Sequence, residues 1–124
     1  MDEAQAGGQS AENNEVNADY ANNTMFEPTV WDLKLIFGEY SARSQSIEVH
    51  TSITVPWAQA KLMLYYLQAN VAAHEVVHGK IKIPEAVVPP EWPPLTPEQA
   101  QDPKAQKTFE TLREVRKQFL DSLK

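Results

Sequence analysis

From Trp57 to His78 the chain runs 22 residues without a glycine or a proline, between Pro56 on one side and Gly79 on the other. Alanine, leucine, tyrosine and valine crowd the run, which is too long for an ordinary strand. It predicts one α-helix over about residues 56–78, roughly 33 Å long. Pro56 suits a first helical turn, where its missing N–H is not needed, and Gly79 suits the C-cap. Trp57, Ala60, Leu64, Leu67 and Val71 form one apolar stripe at three-four spacing. Leu62, Tyr66, Ala69, Ala73 and Val76 form a second. The apolar arc is wider than one sheet face needs, so the chain must find something else to cover it.

Upstream, the period changes to two. Trp31, Leu33, Leu35 and Phe37 alternate with Val30, Asp32, Lys34 and Ile36, which predicts a strand over about 30–37. Ile47, Val49, Thr51, Ile53 and Val55 alternate with Glu48, His50, Ser52 and Thr54, which predicts a second strand over about 46–55. A polar loop, GEYSARSQS, joins them with Gly38 as its turn signal, and an antiparallel hairpin is the economical pairing. Tyr20–Phe26 reads as a separate short strand or arm, with a break or sheet edge at Pro28. Lys80-Ile81-Lys82-Ile83-Pro84 reads as a short edge strand. The fold class is therefore α+β: a small antiparallel sheet packed on one long helix, within a domain over residues 20–83.

Six of the nine prolines lie between Pro84 and Pro97, so residues 84–96 read as a semi-rigid polyproline linker. Residues 97–124 read as a C-terminal helix with two candidate starts, the capping box Thr96-Pro97-Glu98-Gln99 and Asp102-Pro103. Phe109, Leu112, Arg116, Phe119 and Leu123 fall at helical spacing, with Val115 and Leu120 beside them. This amphipathic helix must dock on something, its own assembly or a protein partner. Pro90-Glu91-Trp92-Pro93 is formally a PxxP ligand for an aromatic groove, although a structural strap is the simpler role.

About 60 ordered residues hide only about 60% of the surface that their unfolded chain exposes. A short sheet with open edges and a helix with two apolar stripes therefore leave surplus apolar area. A second copy is the simplest cover, so a homodimer is expected. Its contacts would come from Trp57, Leu64, Tyr66 and Leu67 on the long helix, and from Phe109, Leu112 and Phe119 on the last.

One motif points to chemistry. His74-Glu75-Val76-Val77-His78 matches H-E-x-x-H on a predicted helix, where four-residue spacing puts both imidazoles on one face. Two such histidines can share a zinc ion, and the glutamate can serve as general base on zinc-bound water. The stretch VAAHEVVHG resembles the active-site helix of zincin metalloproteases. A third ligand is required, however, and the metzincin pattern would place glycine and histidine where Ile81 and Pro84 stand. Glu98 lies at a gluzincin-like distance, but beyond the proline segment. A zinc-dependent hydrolase is thus the alternative to a non-enzymatic interaction protein with no cofactor.

Charge and composition exclude other classes. The formal net charge is −6 and the pI about 5.0, without the cationic face that a nucleic-acid binder needs. Residues 1–24 hold Asp2, Glu3, Glu12, Glu15 and Asp19 and no base. Residues 1–19 read as a disordered acidic tail. There is no cysteine, hence no disulfide or thiolate metal site. No apolar run reaches the ~18 residues of a membrane span, and MDEAQAGGQS lacks the features of a secretory signal. A cytoplasmic location is expected.

Read together, several segments resemble the bacterial and archaeal family called domain of unknown function 3467. They are Tyr20-Ala21-Asn22-Asn23, Trp31–Gly38, Ile53-Thr54-Val55-Pro56, Ala60-Lys61-Leu62, Leu67-Gln68-Ala69-Asn70, Glu75, Gly79 and Ile81, which span residues 20–84. The resemblance implies a small domain of strands and a helix with no assigned activity. It also implies that the positions of Glu75 and Gly79 recur in the family, whereas a histidine at the position of His78 does not. That leaves Glu75 and Asn70 as the polar helix positions of interest, with capping or pairing as their expected role.

Overall fold

The computed structural model describes residues 19–124; the acidic tail expected over residues 1–19 lies, but for Asp19, outside the described residues. Three strands, β1 (Asn23–Pro28), β2 (Asp32–Ser41) and β3 (Ser46–Pro56), precede two helices, α1 (Trp57–His78) and α2 (Pro103–Ser122), with single 3-10 turns at Glu85–Val87 and Gln99–Gln101. The strands form one antiparallel sheet in the order β1-β2-β3, so the α+β class stands. The chain divides into two compact units, the first ending at Tyr66 and the second Leu67–Lys124.

In the first unit, the arm suggested by Tyr20–Phe26 becomes the third strand. Phe26 pairs with Leu35 and Pro28 with Leu33, and Glu27 reaches Lys34 across the ladder at 3.6 Å. Pro28 ends an edge strand, where its missing donor leaves no ladder bond unmade. The turn into β2 is held by Thr29. Its Oγ1 accepts from the backbone N–H groups of Trp31 and Asp32 at 3.1 and 3.0 Å and donates to the Asp32 carboxylate at 2.9 Å. The expectation that Val30 and Trp31 begin β2 is therefore corrected. Both sit in this turn, and Trp31 is 82% exposed rather than sharing a face with Leu33, Leu35 and Phe37.

A second correction concerns Gly38, which lies inside β2 and not in the loop. The ladder shifts register between Phe37 and Gly38: Phe37 pairs with Thr51 and Gly38 with Val49, so His50 is the extra residue of a β-bulge. A Cβ on Gly38 would stand 2.7 Å from the Glu48 carbonyl oxygen, which explains the glycine. β2 then continues to Ser41 before a four-residue turn in which Gln45 takes φ 54°.

The bulge also divides the apolar alternation of β3 between two faces. Thr51, Ile53 and Val55 share the face of Phe26, Leu33, Leu35 and Phe37, whereas Ile47 and Val49 lie opposite, with Tyr40. The core sits on the first face at Leu35, 8% exposed and the only large apolar side chain classed as buried among the described residues.

α1 starts where Pro56 ends β3, and the Trp57 indole N–H donates to the Thr29 carbonyl at 2.9 Å. Its C-terminus is closed by Gly79 at φ 92°, whose N–H bonds to the Glu75 carbonyl at 2.9 Å. No residue of α1 is buried.

In the second unit, Lys80–Pro84 is not the expected edge strand but irregular chain. Among the described residues no strand pairs with it, and the Ile81 N–H is taken by the Glu75 side chain at 2.9 Å. Both candidate starts of the last helix are used. Thr96 and Gln99 exchange capping-box bonds at 3.0 and 3.2 Å, which begin only a 3-10 turn. Asp102 then caps α2 by accepting from the Lys104 N–H at 3.0 Å, with Pro103 at the first helical position.

Candidate functional site

The surface that most needs explaining is α1. A helix that is apolar around most of its girth is normally surrounded by protein, and this one is bare. Trp57 is 42% exposed, and Leu62, Leu64, Tyr65, Tyr66, Leu67, Val71, Val76 and Val77 are exposed with it. Ala60, Met63 and Glu75 alone are half-buried. The rings of Tyr65 and Tyr66 meet edge to face at 5.1 Å. The residues expected to make contacts on this helix, Trp57, Leu64, Tyr66 and Leu67, are thus all at the surface. The sheet adds to them, since Phe26 and Ile53 on one face and Ile47, Val49 and Tyr40 on the other are exposed as well.

α2 is more nearly covered. Ala105, Phe109, Leu112, Arg116, Leu120 and Leu123 are half-buried along one stripe. Phe119, expected in that stripe, lies at its rim, because the stripe turns through Leu120 instead. Part of the cover is the proline segment. The Arg116 Nε–H group lies between the carbonyls of Pro89 and Pro90 at 3.2 and 3.1 Å, so the segment runs beside α2 as a strap. Arg116 was legible as part of the stripe, but its task was not. A base among apolar positions signals an acceptor nearby, and two prolines supply bare carbonyls. Trp92 and Pro94 of the strap and Phe109, Arg113 and Leu120 of α2 line an open groove of about 790 Å³. Within it the Arg113 guanidinium stands over the Phe109 ring, 5.8 Å from its centre. The Lys80 ammonium donates to the Ser122 carbonyl at 3.2 Å near the end of α2.

At the last turn of α1 the HEVVH residues separate into two groups. His74 and His78 come together as the spacing requires, with ring centres 4.7 Å apart and planes inclined by 39°. Glu75 turns elsewhere. Its Oε2 accepts from the Ile81 N–H and its Oε1 lies 4.0 Å from the Lys80 ammonium. The carboxylate caps the chain leaving the helix, the role expected of it as a structural residue, and a carboxylate so engaged is not poised over a water between the imidazoles. Among the described residues no group of three or more His, Asp or Glu side chains is placed to hold an ion. Among the described residues, then, the two imidazoles have neither the motif's glutamate nor a third ligand beside them.

The remaining histidine was not singled out by sequence as more than a polar strand position. His50, the bulge residue, donates through Nε2 to the Tyr20 carbonyl at 3.0 Å, and its Nδ1 meets the Thr51 hydroxyl at 2.7 Å. The Asn22 side chain accepts from the Tyr40 N–H at 2.8 Å. These bonds tie the residues before β1 to the sheet.

A three-stranded antiparallel sheet followed by a long helix defines a small α+β domain. The family model described as "Protein of unknown function (DUF3467)" matches residues 2–83, and the chain belongs to that family. Its match ends at Ile83, so the strap and α2 lie beyond it. No curated protein and no solved structure matches the chain.

Proposed function

We propose that this protein is a non-enzymatic assembly or adaptor subunit that works as a homodimer in the cytoplasm, joined through α1 and the open sheet edge. The observation that carries the reading is the bareness of α1: 22 residues, predominantly apolar, with none buried. Contiguous exposed apolar surface on this scale marks an interaction site in a folded protein. A standard interface covers about 800 Å² on each partner. The exposed aromatic and aliphatic side chains of α1 reach that order, since a single aromatic residue contributes about 150–250 Å² when fully covered. Lack of cysteine suits a reducing compartment, and among the described residues no helix is long and apolar enough to cross a membrane. The strap and α2 offer a second, smaller surface for a protein partner.

The test is the mass of the full chain in solution. Sedimentation at micromolar concentration is expected to give twice 14.0 kDa, and Leu64→Glu with Leu67→Glu is expected to return the single-chain mass. A wild-type chain that stays at 14.0 kDa across the micromolar range overturns the reading.

A further inference from the structure

The last turn of α1 presents half of a metal site. His74 and His78 lie side by side, 4.7 Å between ring centres, and both are exposed. The one acid in the motif is occupied with the Ile81 N–H. A zinc ion held by protein takes three or four ligands in a tetrahedron, and one chain cannot supply them here from nitrogen or sulfur. It has three histidines and no cysteine, and the third histidine, His50, is bonded to Tyr20 and Thr51 on the sheet. The same face of α1 is apolar and uncovered: Val71, three residues before His74, is 45% exposed, and Leu67, seven before it, 60%. These residues need a cover, and two more ligands are needed to close the coordination sphere, which a second pair of imidazoles would do. A second copy related by a two-fold axis supplies both at once, because it presents the same patch.

We propose that His74 and His78 from two copies of this chain hold one zinc ion between them through four imidazole nitrogens, at the end of α1. The inference rests on the self-association proposed above and adds a metal to it. Zinc then acts as a structural clasp whose binding energy adds to dimer stability. Glu75 keeps its capping role and takes no part in coordination.

The experiment uses untagged full-length protein stripped with EDTA, titrated with Zn²⁺ alone by calorimetry and followed in mass by sedimentation. One zinc ion per two chains is expected, with a dimer dissociation constant lowered at least about tenfold. Co²⁺ in place of zinc is expected to show the visible absorption of a four-coordinate ion. His74→Ala and His78→Ala, each a change to a stronger helix former at an exposed position, should lose that absorption and the zinc-induced tightening, whereas His50→Ala should keep both. Uptake that persists in the doubly substituted chain, or one ion per chain on a monomer, overturns the site. A dimer that forms in EDTA and takes up no zinc also overturns it while leaving the apolar interface standing. A chain that is monomeric in EDTA and dimerises with zinc supports the clasp and counts against an interface held by α1 alone. A monomer under both conditions overturns both.

Discussion

Two single residues show how local geometry is enforced in this chain. Gly38 sits where the bulge at His50 brings the Glu48 carbonyl against its Cα, and a methyl group there would meet that oxygen at 2.7 Å. Gly38→Ala must therefore push β2 and β3 apart, at an expected cost of about 1–3 kcal/mol by analogy with overpacking elsewhere; the midpoint of urea unfolding reads this directly. Glu75 closes the exit from α1. Glu75→Ala leaves the Ile81 N–H without its acceptor, and a loss of about 1 kcal/mol is expected. Glu75→Gln keeps an acceptor oxygen and should recover most of it. The ion pair to Lys80, at 4.0 Å and with the lysine more than half exposed, adds little to either number. Thermal melts of the two variants separate the hydrogen bond from the charge. The glutamate was visible in sequence as part of a catalytic motif; that its side chain caps the Ile81 N–H, six residues on, was decided by the turn of the chain at Gly79.

At the scale of elements, the long helix was legible to within a residue, because Pro56 and Gly79 bound it and nothing inside breaks it; Pro56, expected in its first turn, instead ends β3. The strands were legible as periods of two but not in their limits. β2 runs past Gly38 because a bulge on its partner absorbs the register, and bulges arise from pairing between strands, which periodicity within one strand does not encode. The same bulge places Ile47 and Val49 on the face opposite Ile53 and Val55, against a sequence that alternates without a fault. The Lys80–Ile83 stretch has the composition of an edge strand yet forms none, since a strand exists only where a partner ladder is offered. The proline strap is an element by virtue of one side chain. Arg116→Ala removes the donor shared by the Pro89 and Pro90 carbonyls. Cleavage after Glu91 by a glutamate-specific protease should then speed up by about tenfold, equivalent to about 1.4 kcal/mol of easier local opening. A rate equal to wild type would mean that the strap is held by other contacts.

For the molecule as a whole, the shortage of covered apolar surface is the dominant physical fact. One large apolar side chain among the described residues is buried, and a chain so constructed is expected to draw its stability from association. Its melting temperature should then rise with protein concentration, as it does for any fold whose native state contains a second copy; a melting temperature constant over a hundredfold dilution would speak for a self-sufficient chain. The zinc clasp proposed at His74 and His78 belongs to this scale too, since it would be complete only in a second copy's company.

Sequence alone determined the elements whose cause is local: a helix between a proline and a glycine, strands with a period of two, caps at Thr96 and Asp102, and apolar stripes too wide for one small sheet. Only tertiary structure decided the third strand, the bulge at His50, the turn that expels Trp31 from the sheet, the strap clasped by Arg116, and the side to which Glu75 turns. Each of these depends on a hydrogen-bonding group meeting a partner distant in sequence or beyond a turn, and such meetings are set by how strands and segments align in space, not by the order of residue types along the chain.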